Sequence, residues 1–123
     1  DALAGQAGQV YDSVLINYYE DGRCGMRYHV DPLYGCWTPN SAVVSVGAAR
    51  RFAFREMKDQ SIKWMYRVRN GDTVLMYGEC QDRLQHSVVV EKLKTGPDGQ
   101  LIDPDRNPGP RMSLVMKQRI PGM

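Results

Sequence analysis

Histidine is scarce in this chain of 123 residues: there are two. Two imidazoles cannot build a three-histidine zinc site. Cysteine is nearly as scarce, at three (Cys24, Cys36, Cys80), with no Cys-x-x-Cys spacing. That count and spacing give neither a disulfide framework nor a zinc knuckle. They fit free thiols in a reducing, intracellular compartment, nuclear or cytoplasmic. No apolar run approaches the ~18 residues of a membrane span, and no signal-peptide pattern opens the sequence. An excess of one charge sign is missing too: 16 basic residues face 14 acidic ones, for a net +2. So small an excess does not by itself indicate nucleic-acid binding. Long segments with helical apolar periodicity are also lacking, which excludes an all-helical domain.

What is present is a succession of short β-type runs separated by turn residues. Eight are read from the sequence: Val10–Tyr19, Met26–Asp31, Ser41–Val46, Arg51–Met57, Ile62–Val68, Thr73–Tyr77, His86–Leu93 and Met112–Lys117. Val, Ile, Tyr, Phe and Thr dominate them, as a pleated, half-buried surface prefers. "RNGD" (69–72) is a strong turn signal. The first ten residues predict a loose leader or a turn of helix. A segment rich in Pro, Gly and Asp, Lys94–Pro110, predicts a long loop. The expected architecture is all-β, a jelly roll or closed barrel, because both manage exposed strand edges. Residues 1–123 are long enough to bury one core and are expected to form one domain. The sequence opens on Asp1 rather than Met, so it is expected to be part of a longer protein.

Side chains two apart on a strand share a face. His29 and Asp31 therefore present an imidazole and a carboxylate side by side. The other histidine, His86, opens the seventh run. Two histidines and one carboxylate on one face of a metal make the facial triad of non-haem iron(II) oxygenases, although the same donors also suit Mn(II). Asn17 and Tyr19 form a second such pair, two hydrogen-bond donors toward a carboxylate. Arg111, Ser113, Val115 and Lys117 share one face of the last run. Six residues of strand separate the two cations by roughly 20 Å. They can hold opposite ends of a small dicarboxylate only if their side chains reach inward. The alternative for each is an ordinary surface or core residue.

Four segments carry a resemblance to the AlkB family of iron(II)- and 2-oxoglutarate-dependent dioxygenases, and a fifth adds to it. Asn17-Tyr18-Tyr19 resembles the family's Asn-x-Tyr, and His29-Val30-Asp31 with His86 resembles its His-x-Asp…His triad. "SVGAARRFAFRE" (45–56) and "RMSLVMK" (111–117) resemble its Ser-x-Gly/Arg-x-Phe-x-Phe-Arg and Arg-x-Asn-x-Thr-x-Arg segments. "GDTVLMYG" (71–78) resembles the Gly-Asp strand ahead of the distal histidine. The matches run in order from about residue 10 to 119.

The resemblance implies a double-stranded β-helix of about eight strands. It also implies an Fe(II) site made by His29, Asp31 and His86, which are at once the metal ligands and the catalytic centre. 2-Oxoglutarate would be bound by Asn17, Tyr19, Arg111, Ser113 and Lys117, with Arg111 gripping its distal carboxylate. The implied reaction is oxidative decarboxylation of 2-oxoglutarate to succinate with O₂ as co-substrate. It is coupled to C–H hydroxylation and, in demethylases, to loss of formaldehyde.

Three features depart from the family pattern. Ser113 replaces Asn, Lys117 replaces the second Arg, and Leu33 stands where the repair enzymes carry an acidic residue that contacts the base. Leu33 and Arg55 are the expected substrate-side residues. The family's N-terminal nucleotide-recognition lid is almost wholly outside this sequence.

Arg50, Arg51, Arg55, Lys58, Arg67 and Arg69, interleaved with Phe52, Phe54, Trp64 and Tyr66, suggest a strand-binding surface. The alternative places the aromatics in the core and the cations in water. The expected function is oxidative demethylation of nucleic acid by a monomer that favours single strands and binds no membrane. The alternatives are a hydroxylase or demethylase of a protein or small molecule, or a non-catalytic jelly-roll binding module.

Overall fold

The computed structural model describes residues 11–92, 95–100 and 108–121. Among the described residues there are eight strands: β1 (Ser13–Tyr19), β2 (Met26–His29), β3 (Trp37–Gly47), β4 (Arg50–Glu56), β5 (Lys63–Val68), β6 (Thr73–Met76), β7 (Leu84–Val88) and β8 (Arg111–Arg119). They form two four-stranded antiparallel sheets, ordered β1-β8-β3-β6 and β2-β7-β4-β5. This is the double-stranded β-helix expected from the sequence. Tyr19, Val43, Phe52, Val68, Met76, Val88 and Val115, drawn from both sheets, make the core between them.

Three departures from the expected elements have physical causes. β3 begins at Trp37 rather than Ser41. Pro39 and Asn40 look like strand breakers, but a register shift lies between Trp37 and Ser41, and proline is tolerated at such irregularities. Thr38 and Asn40 both donate to the Gln118 side-chain oxygen across that gap (3.0 and 3.2 Å). β7 begins two residues early, at Leu84, and ends at Val88. Beyond it the chain leaves the regular ladder, although the Val89 amide still donates to the Arg51 carbonyl and that of Glu91 to the Gly22 carbonyl. A single helical turn, α1 (Cys80–Arg83), connects β6 to β7 and was not expected. Residues 1–10 and, within the loop 94–110, residues 94 and 101–107 lie outside the described residues.

β2 carries one extra residue. Met26 is opposite Val88 and His29 is opposite His86, so three steps on β2 match two on β7. Such a bulge reverses the phase of alternation. It brings His29, an odd number of residues after Met26, to the same side of the sheet.

Arg50, at the start of β4, is fully buried. Its guanidinium donates to the carbonyls of Asp21, Cys24 and Val89 (3.3, 2.6 and 2.9 Å). It therefore ties the β1–β2 turn to the chain leaving β7. Gly47 ends β3 with φ +104, and a Cβ there would lie 2.5 Å from the Pro110 carbonyl oxygen. Gly47→Ala is expected to cost about 1–3 kcal/mol, the scale of local backbone strain. Urea denaturation checks this, and an unchanged midpoint would show that the β8 entry moves freely.

Candidate metal and cofactor site

β8 alternates cleanly. Arg111, Ser113, Val115 and Lys117 are buried, and the residues between them are not. The register places Tyr19 and Gly47 beside Arg111, Asn17 and Ser45 beside Ser113, Leu15 and Val43 beside Val115, and Ser13 and Ser41 beside Lys117. One face of this sheet is thus a polar floor with an apolar band across it. The facing sheet contributes Phe52, His86, Val88, Met26 and His29. Between the two lies a cavity of about 460 Å³ whose walls include Asn17, Tyr19, His29, Asp31, His86, Arg111, Ser113 and Lys117. All eight of the expected metal- and cofactor-side residues line it.

The triad is assembled by the β2–β7 pairing. His29 and His86 are cross-strand neighbours with ring centroids 4.3 Å apart. Asp31 follows two residues beyond His29 and precedes Pro32, which restricts it to extended backbone. Its Oδ1 lies 3.5 Å from His29 Nε2 and 3.1 Å from His86 Nε2. One donor atom from each residue fits within 4.8 Å, close enough for a shared ion. His29 Nδ1 lies 2.7 Å from the Arg27 carbonyl oxygen. Nδ1 donates to that oxygen, so Nε2, which faces Asp31 Oδ1, is the nitrogen available to a metal once it gives up its proton. Imidazole, imidazole and carboxylate are the donor set of the facial triad.

Burial alone would push the Asp31 carboxyl upward. Hydrogen bonds from His29 and His86, together with the charges of His86 and Lys117, outweigh it and hold the group well below the usual carboxylate range. Its second oxygen, Oδ2, accepts from Lys117 Nζ at 3.0 Å. Lys117 is almost fully buried and also lies over the Trp37 ring, 5.6 Å from its centroid.

At the other end of the floor Arg111 is 1% exposed. Its Nη2 donates to Ser45 Oγ at 2.9 Å, and the guanidinium sits 5.0 Å from the Tyr19 ring centroid. Nε and Nη1 have no partner among the described residues. Burial pulls its pKa down, but a guanidinium remains charged. A buried, incompletely bonded cation is costly unless an anion completes it. An orphaned guanidinium at one end and a triad with an ammonium at the other fit a dicarboxylate that also reaches the metal.

The substrate-side expectations fare differently. Leu33 is not on the cavity wall. Its carbonyl closes the turn by accepting from the Cys36 and Trp37 amides, both at 3.0 Å. Its neighbours Pro32 and Tyr34 line the cavity instead. Arg55 is also off the wall: it stacks on Tyr28 (4.1 Å to the ring centroid) and donates to Gln85 (2.9 Å). Tyr34 was not anticipated. It is 75% exposed, holds φ +52 and meets Trp37 edge-on at 5.8 Å. Of the basic and aromatic middle, Arg50 and Phe52 are buried, whereas Trp64 and Tyr66 are exposed.

The fold and donor set define a class, the double-stranded β-helix oxygenases. The model of the 2OG-Fe(II) oxygenase superfamily matches residues 1–117, and the chain belongs to that superfamily, whose cofactors are Fe(II) and 2-oxoglutarate. The mimivirus protein "Uncharacterized protein R406" (Acanthamoeba polyphaga mimivirus) is 28% identical over 116 residues, covering 94% of this chain and 54% of the relative. The solved structure titled "The structure of OsALKBH1" superposes with a TM-score of 0.61 at 22% identity, covering 89% of this chain and 49% of that one. The core is therefore AlkB-like in fold. The chain spans about half the length of these two relatives.

Asp31→Ala is expected to remove Mn(II) binding. It should also lower the unfolding free energy by ~3–5 kcal/mol, because the buried Lys117 ammonium loses its carboxylate. Adding Lys117→Met should return most of that stability and none of the metal affinity. Denaturant unfolding and metal titration of both variants check this. Mn(II) binding by Asp31→Ala would remove Asp31 from the site.

Proposed function

We propose that this chain is the catalytic core of an Fe(II)- and 2-oxoglutarate-dependent dioxygenase that oxidatively demethylates alkylated nucleic acid, single strands preferred. The observation that carries the oxygenase reading is the buried Arg111 guanidinium. It has two unpartnered nitrogens in the same cavity as the His29–Asp31–His86 cluster. In this reading Arg111 holds the distal carboxylate of 2-oxoglutarate, while Asn17, Tyr19 and Ser113 line its path. Lys117 holds Asp31 and adds positive charge near the keto-acid end. With iron bound and O₂ as oxidant, the cofactors would supply decarboxylation of 2-oxoglutarate to succinate and CO₂ with one oxygen atom inserted into a substrate C–H bond; a hydroxymethyl group on nitrogen would then leave as formaldehyde, its hydroxyl proton returning to the nitrogen. The apolar band of Val43, Val88 and Val115 shields the reacting groups from water.

Two features support nucleic acid as the substrate. Tyr34 and Trp37 line the cavity, with Tyr34 the more exposed, and aromatic faces hold unstacked bases. On the opposite side of β4–β5 from Phe52 and Phe54, Arg51 is paired with Arg67 and Arg55 with Lys63. Glu91 already neutralises Arg51 (2.7 and 2.9 Å), so the like-charge pair left is Arg55 with Lys63, which is unfavourable and which a phosphate backbone would relieve. A duplex base must first leave its stack, which favours single strands.

Arg111→Ala should raise the apparent KM for 2-oxoglutarate by an amount equivalent to roughly 2–5 kcal/mol, the usual loss on truncating one partner of a buried charge pair. Lys117→Arg should retain turnover. Unchanged 2-oxoglutarate binding by Arg111→Ala would remove Arg111 from the cofactor site. The substrate is tested by comparing succinate and formaldehyde yields on matched single- and double-stranded N-methylated oligonucleotides at fixed salt. Formaldehyde is expected mainly from single strands, with succinate in excess because turnover is partly uncoupled. Succinate without formaldehyde from any oligonucleotide would shift the substrate to a protein side chain or small molecule.

A further inference from the structure

α1 and the turn before it, "GECQDR" (78–83), carry no recognisable motif, and most of their side chains face solvent. Gln81 is the exception: it is buried. It reaches from the β6–β7 connection to the end of β2 and meets Asp31 at two points. The Asp31 amide donates to Gln81 Oε1 at 3.0 Å, and Gln81 Nε2 donates to Asp31 Oδ2 at 3.1 Å. The orientation of the side-chain amide is not arbitrary. A backbone N–H can only donate, so the oxygen must face it and the NH₂ must face the carboxylate. The reversed amide would set donor against donor and acceptor against acceptor.

We propose that Gln81 is a positioning residue for the metal centre, a two-point clamp that fixes the backbone and the carboxylate of Asp31 together. The inference rests on the metal reading of the triad. With Lys117, Gln81 engages Oδ2 and leaves Oδ1 as the oxygen turned toward His29 and His86. The clamp therefore favours a carboxylate that offers one oxygen to the ion. Without it, the Oδ2 side of Asp31 would be held by Lys117 alone and the backbone amide would lose its acceptor, so the carboxylate plane would be less tightly fixed. Outer hydrogen bonds to a ligating residue typically carry 10–100-fold in metal affinity.

Gln81→Met keeps the length and much of the volume while deleting both hydrogen bonds. Gln81→Glu keeps the shape and the acceptor toward the Asp31 amide but loses the donor to Oδ2. Val68→Ala, in the core and away from the cavity, is a control for destabilisation alone. The readouts are Mn(II) affinity from the free-ion EPR signal, the visible absorption of bound Co(II), and thermal unfolding of the apoprotein.

The expected result is a 10–100-fold weaker Mn(II) Kd and an altered Co(II) band in Gln81→Met and Gln81→Glu, with the wild-type Kd and band in Val68→Ala at a lowered Tm. If Gln81→Met does not fold, Gln81→Glu alone decides the point. A wild-type Kd and Co(II) band in the folded Gln81 variants would overturn the clamp. Equal weakening in Val68→Ala would also overturn it, since affinity would then follow stability. Failure of the wild-type chain to bind Mn(II) or Co(II) would overturn the metal reading and the clamp with it.

Discussion

The Asp31 carboxylate is the point on which this structure turns. It is largely withdrawn from water, where an unpaired charge would be expensive, and four groups converge on it. The imidazoles of His29 and His86 approach Oδ1, while the ammonium of Lys117 and the amide of Gln81 approach Oδ2. These partners arrive from β2, β7, β8 and α1, so the charge is satisfied only when both sheets and the β6–β7 connection are in place. Closing the sandwich and building the site are thus one event. The division of labour between the two oxygens also separates metal binding from structural support.

The two fully buried arginines show how the fold treats a cation that it needs for structure and one that it keeps for a ligand. Arg50 and Arg111 both lie near the Tyr19 ring. Arg50 makes three hydrogen bonds to carbonyls, leaves Nε alone unmet among the described residues, and locks the chain around the end of the sandwich. Arg111 makes one to Ser45 and leaves Nε and Nη1 unmet. Gly47 faces it on β3 and adds no side chain there. A buried guanidinium with two unmet nitrogens, hydrogen-bonded to Ser45 and flanked by Tyr19 and Gly47, has the geometry to bind a carboxylate.

The strands were legible because their composition and turn residues are strong local signals. Elements failed to be legible where a tertiary interaction overrode the local one. Pro39 sits inside β3 because an irregularity absorbs it and Gln118 ties across the gap. Gln81 was invisible because its value lies in a contact with a residue fifty positions away. Leu33 is set on the substrate side by the family pattern that follows the His-x-Asp motif. The turn that follows Pro32 instead puts its carbonyl into hydrogen bonds and turns Tyr34 toward the cavity.

By itself the sequence determined the all-β class and the number of strands; period-two spacing set His29 beside Asp31 and Arg111 with Lys117 on shared faces, and only the resemblance to a known family marked them as groups of one site. The sequence did not determine which way those faces point. A strand ending in Arg and Lys is compatible with two solvated ends, and six residues of separation leave open whether one cavity can hold both. The tertiary structure decided this by pairing β8 between β1 and β3, which turns its charged face inward against β2 and β7. It also decided the phase of β2, since a bulge of one residue between Met26 and His29 is what sets His29 opposite His86.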